Sequence, residues 1–126
     1  ACLVGSEMCI RDRVYTAFQQ CSGDYNPLHN DEELAKRKGF PERVMYGNIL
    51  NAFASALVGE HLPVKDIIIH SQDIQYKRPV FMGDKLEAEV KVDGIYESVN
   101  AVSFKFSFKN AKGLTVAKGH VQIGII

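Results

Sequence analysis

The segment of residues 47–60, GNILNAFASALVGE, constrains the fold more than any other part of the chain. In a helix formed by this segment, apolar side chains would cover most of the circumference, and such a helix has to be buried on most sides. The segment therefore predicts a central helix that the rest of the domain surrounds. Its apolar residues are Ile49, Leu50, Ala52, Phe53, Ala54, Ala56, Leu57 and Val58.

Three polar residues interrupt this apolar helix on one side. Asn48, Asn51 and Ser55 have the spacing i, i+3 and i+7, which places them in a single stripe along a helix. Buried polar groups in folded proteins are almost always hydrogen-bonded. We therefore expect the stripe to face either a hydrated pocket or a polar partner.

The chain after Pro63 has the two-residue period of β-strands. In the last segment the apolar phase shifts by one residue, and a β-bulge near Gly119 would absorb the shift. The turns between segments favour antiparallel pairing. Together with the apolar helix, this pattern predicts an α+β domain in which a curved antiparallel sheet wraps around a long, mostly apolar central helix. The four segments are residues 66–76, 85–92, 101–108 and 114–125, with turn residues at 82–84, 93–94 and 110–113.

The first half of the chain predicts two short helices joined by a loop. Val14, Ala17, Phe18 and Cys21 follow the period of an amphipathic helix. Residues 22–30 are then expected to form a loop, because Gly23 and Pro27 interrupt helical periodicity. Asn30 is the expected N-cap of the next helix, which begins with acidic residues.

Composition excludes several classes of function. Of 126 residues, 15 are basic and 15 acidic, so no net charge favours nucleic acid or an anionic membrane surface. No apolar run approaches the ~20 residues of a membrane-spanning helix. The three cysteines are an odd number without metal-ligand spacing, which predicts no metal site and a reduced, cytoplasmic environment.

Residues 1–13, ACLVGSEMCIRDR, differ from the rest of the chain. They contain no initiator Met, and their apolar pattern fits neither a helix nor a strand cleanly. The stretch resembles a translated sequencing-adapter remnant. We therefore predict that residues 1–13 are a non-native leader and that residues 14–126 form a single domain.

The loop sequence SGDYNPLHNDEELA contains an acid, Asp24, and an imidazole, His29, on either side of an Asn26-Pro27 corner. This loop, the segment RVMYGNILNAFASALVGEHLP and the segment SQDIQYKRPVFMGDKLEAEVKV resemble, in that order, the MaoC-like dehydratases. This is the (R)-specific enoyl-CoA hydratase group of the hot-dog fold. The resemblance runs from about Val14 to the end of the chain.

The resemblance implies a cofactor-independent lyase that hydrates a trans-2-enoyl thioester reversibly to an (R)-3-hydroxyacyl thioester. It implies that Asp24 and His29 hold the reacting water and that Asn26 braces their loop. It assigns Gly47 to the oxyanion hole and Ser55 to the lining of the site. Asn51, from the polar stripe, is a further candidate for a supporting residue. The substrate would be carried by coenzyme A or by the phosphopantetheine of a carrier protein, and the family commonly forms homodimers.

The chain departs from the family pattern beside the expected oxyanion hole. Tyr46 precedes Gly47 where many members have a histidine, and Asn48 follows it where they have an apolar residue. These supporting residues bear on the acyl chain that the site accepts.

Two other functions remain open from the sequence. Hot-dog thioesterases commonly place a carboxylate within the central helix, whereas this segment contains only Glu60, at its far end. A non-catalytic subunit that binds acyl thioesters is the other alternative, and the intact Asp24–His29 pair argues against it.

Overall fold

The computed structural model describes residues 2–126, with side chains from residue 7 onward. Four α-helices lie between the first and the second strand of the described chain: α1 (Asp12–Ser22), α2 (Pro27–Asn30), α3 (Glu32–Arg37) and α4 (Asn48–Glu60). The five strands are β1 (Cys2–Cys9), β2 (Ile67–Tyr76), β3 (Lys85–Tyr96), β4 (Ala101–Lys109) and β5 (Thr115–Ile125). None of the helices in this described part is long and apolar enough to cross a membrane.

The strands form one antiparallel sheet in the order β1-β3-β4-β5-β2. The alternating residues of β4, Phe104, Phe106 and Phe108, are buried and belong to the same hydrophobic cluster as Leu50 and Leu57 of α4. The sheet thus packs its inner face on α4. This architecture confirms the predicted α+β hot-dog fold with a central apolar helix.

The central helix is less completely buried than its composition predicts. Ile49, Leu50, Ala54, Leu57 and Val58 are buried. A narrow face of α4 is exposed in the single chain, because the curved sheet leaves one side of the helix uncovered. Its residues are Asn48, Ala52, Ser55 and Gly59.

Two β-sheet details differ from the sequence-based predictions. Asp93-Gly94 is not a turn, because β3 continues past it through a bulge between Val92 and Gly94. The chain reverses instead at a 3-10 turn over Glu97–Val99, followed by Asn100 in the left-handed region at φ 50°. The bulge expected near Gly119 lies between Thr115 and Ala117.

The loop predicted for residues 22–30 ends in the one-turn helix α2. Pro27 occupies the first turn of α2, where its missing N–H costs nothing, and the Asn26 side chain caps the helix by accepting from the Leu28 N–H. Asn30 therefore ends α2, and Asp31, not Asn30, is the N-cap of α3. Sequence reasoning treated Pro27 only as a residue that interrupts helices.

Residues expected to form a leader take part in the sheet. The backbone of β1 pairs with β3, and Ile10 is fully buried. The Ile10 N–H donates to the Asp84 carbonyl at 3.0 Å, and the Ile10 carbonyl accepts from Gly83 at 2.7 Å. Helix α1 begins at Asp12, so residue 14 is not the start of regular structure. That residues 1–13 are non-native stays a prediction.

Replacing Gly119 by Ala is expected to destabilise the sheet. An added Cβ would lie 2.0 Å from the Asp73 carbonyl oxygen and 2.8 Å from Cζ of Phe106. We expect the free energy of unfolding, measured by urea denaturation, to fall by about 2–3 kcal/mol. Gly59→Ala is the matched control. Nothing lies within 4 Å of its added Cβ, and the helical position favours alanine by roughly 0.5–1 kcal/mol. Equal stabilities of the two variants would contradict this account.

Candidate active site

The loop that carries Asp24 is held by side chain-to-backbone hydrogen bonds. Asp24 Oδ1 accepts from the Asn26 N–H at 3.0 Å, and Asn26 Oδ1 accepts from the Leu28 N–H at 2.9 Å. The second carboxylate oxygen of Asp24 has no hydrogen-bond partner among the described residues, and the side chain is exposed. Asn26 thus braces the loop, while Asp24 keeps an oxygen available to a ligand or a water.

The imidazole of His29 has a fixed orientation. Its Nδ1 lies 2.7 Å from the Val44 carbonyl oxygen. Because a carbonyl oxygen only accepts hydrogen bonds, Nδ1 must carry the proton and donate it. In the neutral ring Nε2 is then unprotonated and can accept a proton from a bound molecule.

The N-terminus of α4 presents unpaired backbone donors. Gly47 is the N-cap residue, and no side chain caps the helix. The first in-helix bonds start at Ile49, which donates to the Tyr46 carbonyl at 3.1 Å, and Leu50, which donates to Gly47 at 2.9 Å. Within the described residues the Gly47 and Asn48 N–H groups have no acceptor. A helix N-terminus with free N–H groups attracts anionic oxygen.

One pocket of about 290 Å³ contains both His29 and the N-terminus of α4. His29, Gly47, Leu50, Tyr76 and Val80 are among its lining residues, as are the exposed cations Lys77 and Arg78. The ring of Tyr76 lies directly over Gly47, since a Cβ added at Gly47 would be 2.9 Å from Tyr76 Cε1. The structure thus brings His29 and Gly47 together, whereas Asp24 and Ser55 do not line this pocket.

The polar stripe of α4 faces the edge strand β2. Asn48 Oδ1 accepts from the Tyr76 hydroxyl at 2.8 Å. Gln72 donates to the Asn51 carbonyl at 2.9 Å and also to its side-chain oxygen. Of the two environments expected for the stripe, the structure shows a polar partner at Asn48 and Asn51. Ser55 remains exposed.

Tyr46 links the two residues of the predicted pair. It is only 2% exposed, and its hydroxyl donates to the backbone carbonyl of Asp24. Its ring centroid lies 4.2 Å from that of His29. Burial raises the pKa of Tyr46 above its ordinary value of 10.0, although the hydrogen bond from Gln19 acts in the opposite direction. The phenol therefore stays neutral and keeps its proton to donate.

Sequence reasoning missed the polar residues around Tyr46. Gln19 Nε2 lies 3.2 Å from the Tyr46 hydroxyl and also within reach of Asn30. The Tyr15 hydroxyl lies 2.9 Å from the His29 carbonyl oxygen and 2.6 Å from Asn30 Oδ1. The spacing of Tyr15 and Gln19, i and i+4, places them on one face of α1 and was the available signal. Gln19 was overlooked because polar residues of a short amphipathic helix usually face solvent.

No group of three or more His, Cys, Asp and Glu side chains could hold a metal ion within the part of the chain that the structure describes.

Comparison with known proteins identifies the family. The model of the MaoC-like domain matches residues 7–111. The chain belongs to the MaoC-like dehydratase family. The match covers α1 to α4 and β2 to β4, including Asp24, His29 and Gly47.

Relatives and solved structures agree with this membership. An (R)-specific enoyl-CoA hydratase of Aeromonas caviae is 40% identical over 81 residues, 64% of this chain and 60% of the relative. A mitochondrial 3-hydroxyacyl-[acyl-carrier-protein] dehydratase of Arabidopsis thaliana is 32% identical over 106 residues, 82% of this chain and 63% of the relative. The chain thus spans about three fifths of the length of these two relatives. The structure of the (R)-hydratase from A. caviae has a TM-score of 0.89 at 28% identity, covering 98% of this chain and 93% of that one.

Tyr46 is expected to make stability depend on pH at alkaline values. Its raised pKa means that the folded state retains the proton above pH 10, whereas the unfolded chain loses it. The contribution is complete below the unfolded pKa of about 10 and is lost as pH rises through the folded pKa. In urea denaturation between pH 8 and pH 11, wild type should therefore lose more stability than Tyr46→Phe.

Tyr96→Phe is the control for this comparison, because Tyr96 is 50% exposed and lies outside the pocket. It should follow wild type across the pH range. An equal decline in wild type and Tyr46→Phe would contradict the assigned environment of the phenol.

Proposed function

We propose that this protein catalyses the reversible hydration of a trans-2-enoyl thioester to an (R)-3-hydroxyacyl thioester. One observation carries the proposal: a single pocket contains an imidazole with a free Nε2 and the uncapped N-terminus of α4 at Gly47. Membership of the MaoC-like dehydratase family supports this reaction over others that use the same groups.

The reaction requires proton transfer and stabilisation of negative charge, and the imidazole and the helix N-terminus can supply them. Water is a poor nucleophile, so a base must take one of its protons while its oxygen bonds to the β-carbon, and an acid must deliver a proton to the α-carbon. His29 and Asp24 would share these roles, with Nε2 of His29 and the unpaired oxygen of Asp24 facing the water. In the reverse direction the same groups remove the α-proton and protonate the departing hydroxyl.

Negative charge develops on the thioester oxygen as the enolate forms. The unpaired N–H groups at Gly47 and Asn48 would donate to this oxygen, and the positive end of the helix dipole would add to the effect. The missing side chain of Gly47 allows the thioester to approach the backbone closely.

The carrier of the acyl chain belongs to this proposal as well. The names of the relatives include both a CoA-thioester hydratase and an acyl-carrier-protein dehydratase. Lys77 and Arg78 in the pocket lining suit either carrier, since coenzyme A and phosphopantetheine both bear phosphate. No further cofactor is required by this chemistry, and we expect the enzyme to act in the cytoplasm.

A homodimer is the proposed functional state. The ten-residue strand β2 is an edge of the sheet, and Ile68 and Tyr76 on it are 52% and 48% exposed. Long edge strands with apolar side chains tend to pair with another strand. Joining two β2 edges would cover these residues beside each pocket.

Loss of either member of the catalytic pair is expected to abolish most of the activity. Hydration of a short trans-2-enoyl-CoA by pure protein should fall by at least about 10²-fold in Asp24→Asn and in His29→Gln, since each removes a proton-transfer group. Asp66→Asn and His61→Gln are matched controls at exposed positions outside the pocket and should retain wild-type rates.

Full activity in either pair variant would contradict the assignment. Release of free thiol from an acyl-CoA without hydration would instead indicate a thioesterase. Binding of the thioester by wild type without either reaction would indicate a non-catalytic subunit.

Gly47→Ala tests whether the thioester approaches the N-terminus of α4 closely. The added Cβ meets the ring of Tyr76 at 2.9 Å, at the far end of a movable side chain, so the fold should tolerate it. We expect stability to change by less than about 1 kcal/mol and kcat/KM for hydration to fall by about 10²-fold, because a small displacement of the thioester is costly. Gly59→Ala serves as the control on the same helix. Unchanged kinetics of Gly47→Ala would contradict the assigned oxyanion site.

A further inference from the structure

We propose that Tyr46 is a positioning residue that sets the geometry of Asp24 relative to His29. It acts from one side chain in two ways: its hydroxyl holds the backbone of Asp24, and its ring packs against the imidazole of His29. The kinetic consequence rests on the proposed hydration reaction, whereas the structural consequence can be measured without it.

Tyr46 is itself fixed to the rigid part of the domain. It lies between Met45, whose N–H donates to the Val80 carbonyl at 2.9 Å, and the start of α4. Its ring packs against Phe18 and Tyr15 of α1, with centroid distances of 4.9 and 5.6 Å. Because the Tyr46 side chain is held on these sides, it can fix the position of the more exposed loop that carries Asp24.

Gln19 supports the Tyr46 hydrogen bond. The phenol must donate to the Asp24 carbonyl, which can only accept, and the side-chain amide of Gln19 donates to the same phenol oxygen at 3.2 Å. The amide has two protons, and two further acceptors lie within its reach. They are the Tyr15 hydroxyl oxygen and Asn30 Oδ1.

The same network holds the other end of the loop. The Tyr15 hydroxyl is 2.9 Å from the His29 carbonyl oxygen, and the imidazole is held at Nδ1 by Val44. The backbone of Asn26 also joins the pair, since its N–H donates to Asp24 Oδ1 and its carbonyl accepts from the His29 N–H. Tyr46 contacts both residues with its side chain, through its hydroxyl and its ring. Helix α2 has only four residues, so it does not fix the separation of Asp24 and His29 alone.

Two substitutions separate the two contacts. Tyr46→Phe keeps the ring against His29 and removes the hydrogen bond to Asp24; we expect kcat to fall about 10-fold with KM within twofold of wild type. Tyr46→Leu removes both contacts, and kcat should fall by about 10²-fold. Tyr96→Phe, at a half-exposed position on β3, should leave both constants unchanged.

A double variant tests whether Gln19 acts through Tyr46. If it does, Gln19→Leu should lower kcat in wild type but leave the kcat of Tyr46→Phe unchanged, because the phenol through which it acts is already gone. Additive losses in kcat would show that Gln19 acts through its other contacts, Tyr15 and Asn30, and would contradict a role through the phenol.

The decisive comparison uses kcat together with NMR of the His29 ring. In wild type the Nδ1–H signal of His29 should be sharp and slow to exchange with solvent, and it should broaden in Tyr46→Leu. Wild-type kcat and an unchanged signal in a folded Tyr46→Leu would overturn the proposal. A loss confined to KM or to stability would also overturn it. If wild type shows no hydration activity, the proposed function fails, and the NMR comparison alone decides the role of Tyr46.

Discussion

The burial of α4 under the sheet, with its first turn left uncapped, is the constraint on which the rest of the structure depends. The sheet packs on Ile49, Leu50 and Leu57, and this burial fixes where the helix begins. Because Gly47 supplies no capping side chain, the backbone donors at the helix start are unpaired and open into the pocket. The same packing that stabilises the core therefore creates the electropositive group that the proposed reaction needs.

The proposed catalytic pair is connected to α4 through the residue that precedes the N-cap of the helix. Tyr46 belongs to the core and directly precedes the helix N-cap, yet its hydroxyl and ring contact the loop that carries Asp24 and His29. Through Tyr46, the exposed residue Asp24 is therefore held against the hydrophobic core. The hydrogen bond from the Tyr76 hydroxyl to Asn48 has a related effect, because it joins the ring that lies over Gly47 to the first turn of α4.

The sequence predicted the features that depend on local pattern. The apolar helix at 47–60, the alternation of Phe104, Phe106 and Phe108, and the hot-dog architecture are confirmed, since burial of a continuous apolar face leaves few arrangements. Asp93-Gly94 was predicted as a turn and is a bulge, because turn and bulge use the same residue types. The i, i+4 spacing of Tyr15 and Gln19 was the only local signal for the network around Tyr46, since the contact of Gln19 with Tyr46 joins residues 27 positions apart.

The proposed reaction depends on binding of the thioester oxygen by the N-terminus of α4. The most direct measurement is the infrared stretch of a carbonyl-labelled trans-2-enoyl-CoA bound to the His29→Gln variant, in which turnover should be at least about 10²-fold slower. Hydrogen bonds from the Gly47 and Asn48 N–H groups should lower the frequency relative to the free thioester, and Gly47→Ala in the same background should reverse part of that shift. A bound thioester with the frequency of the free molecule would contradict the account.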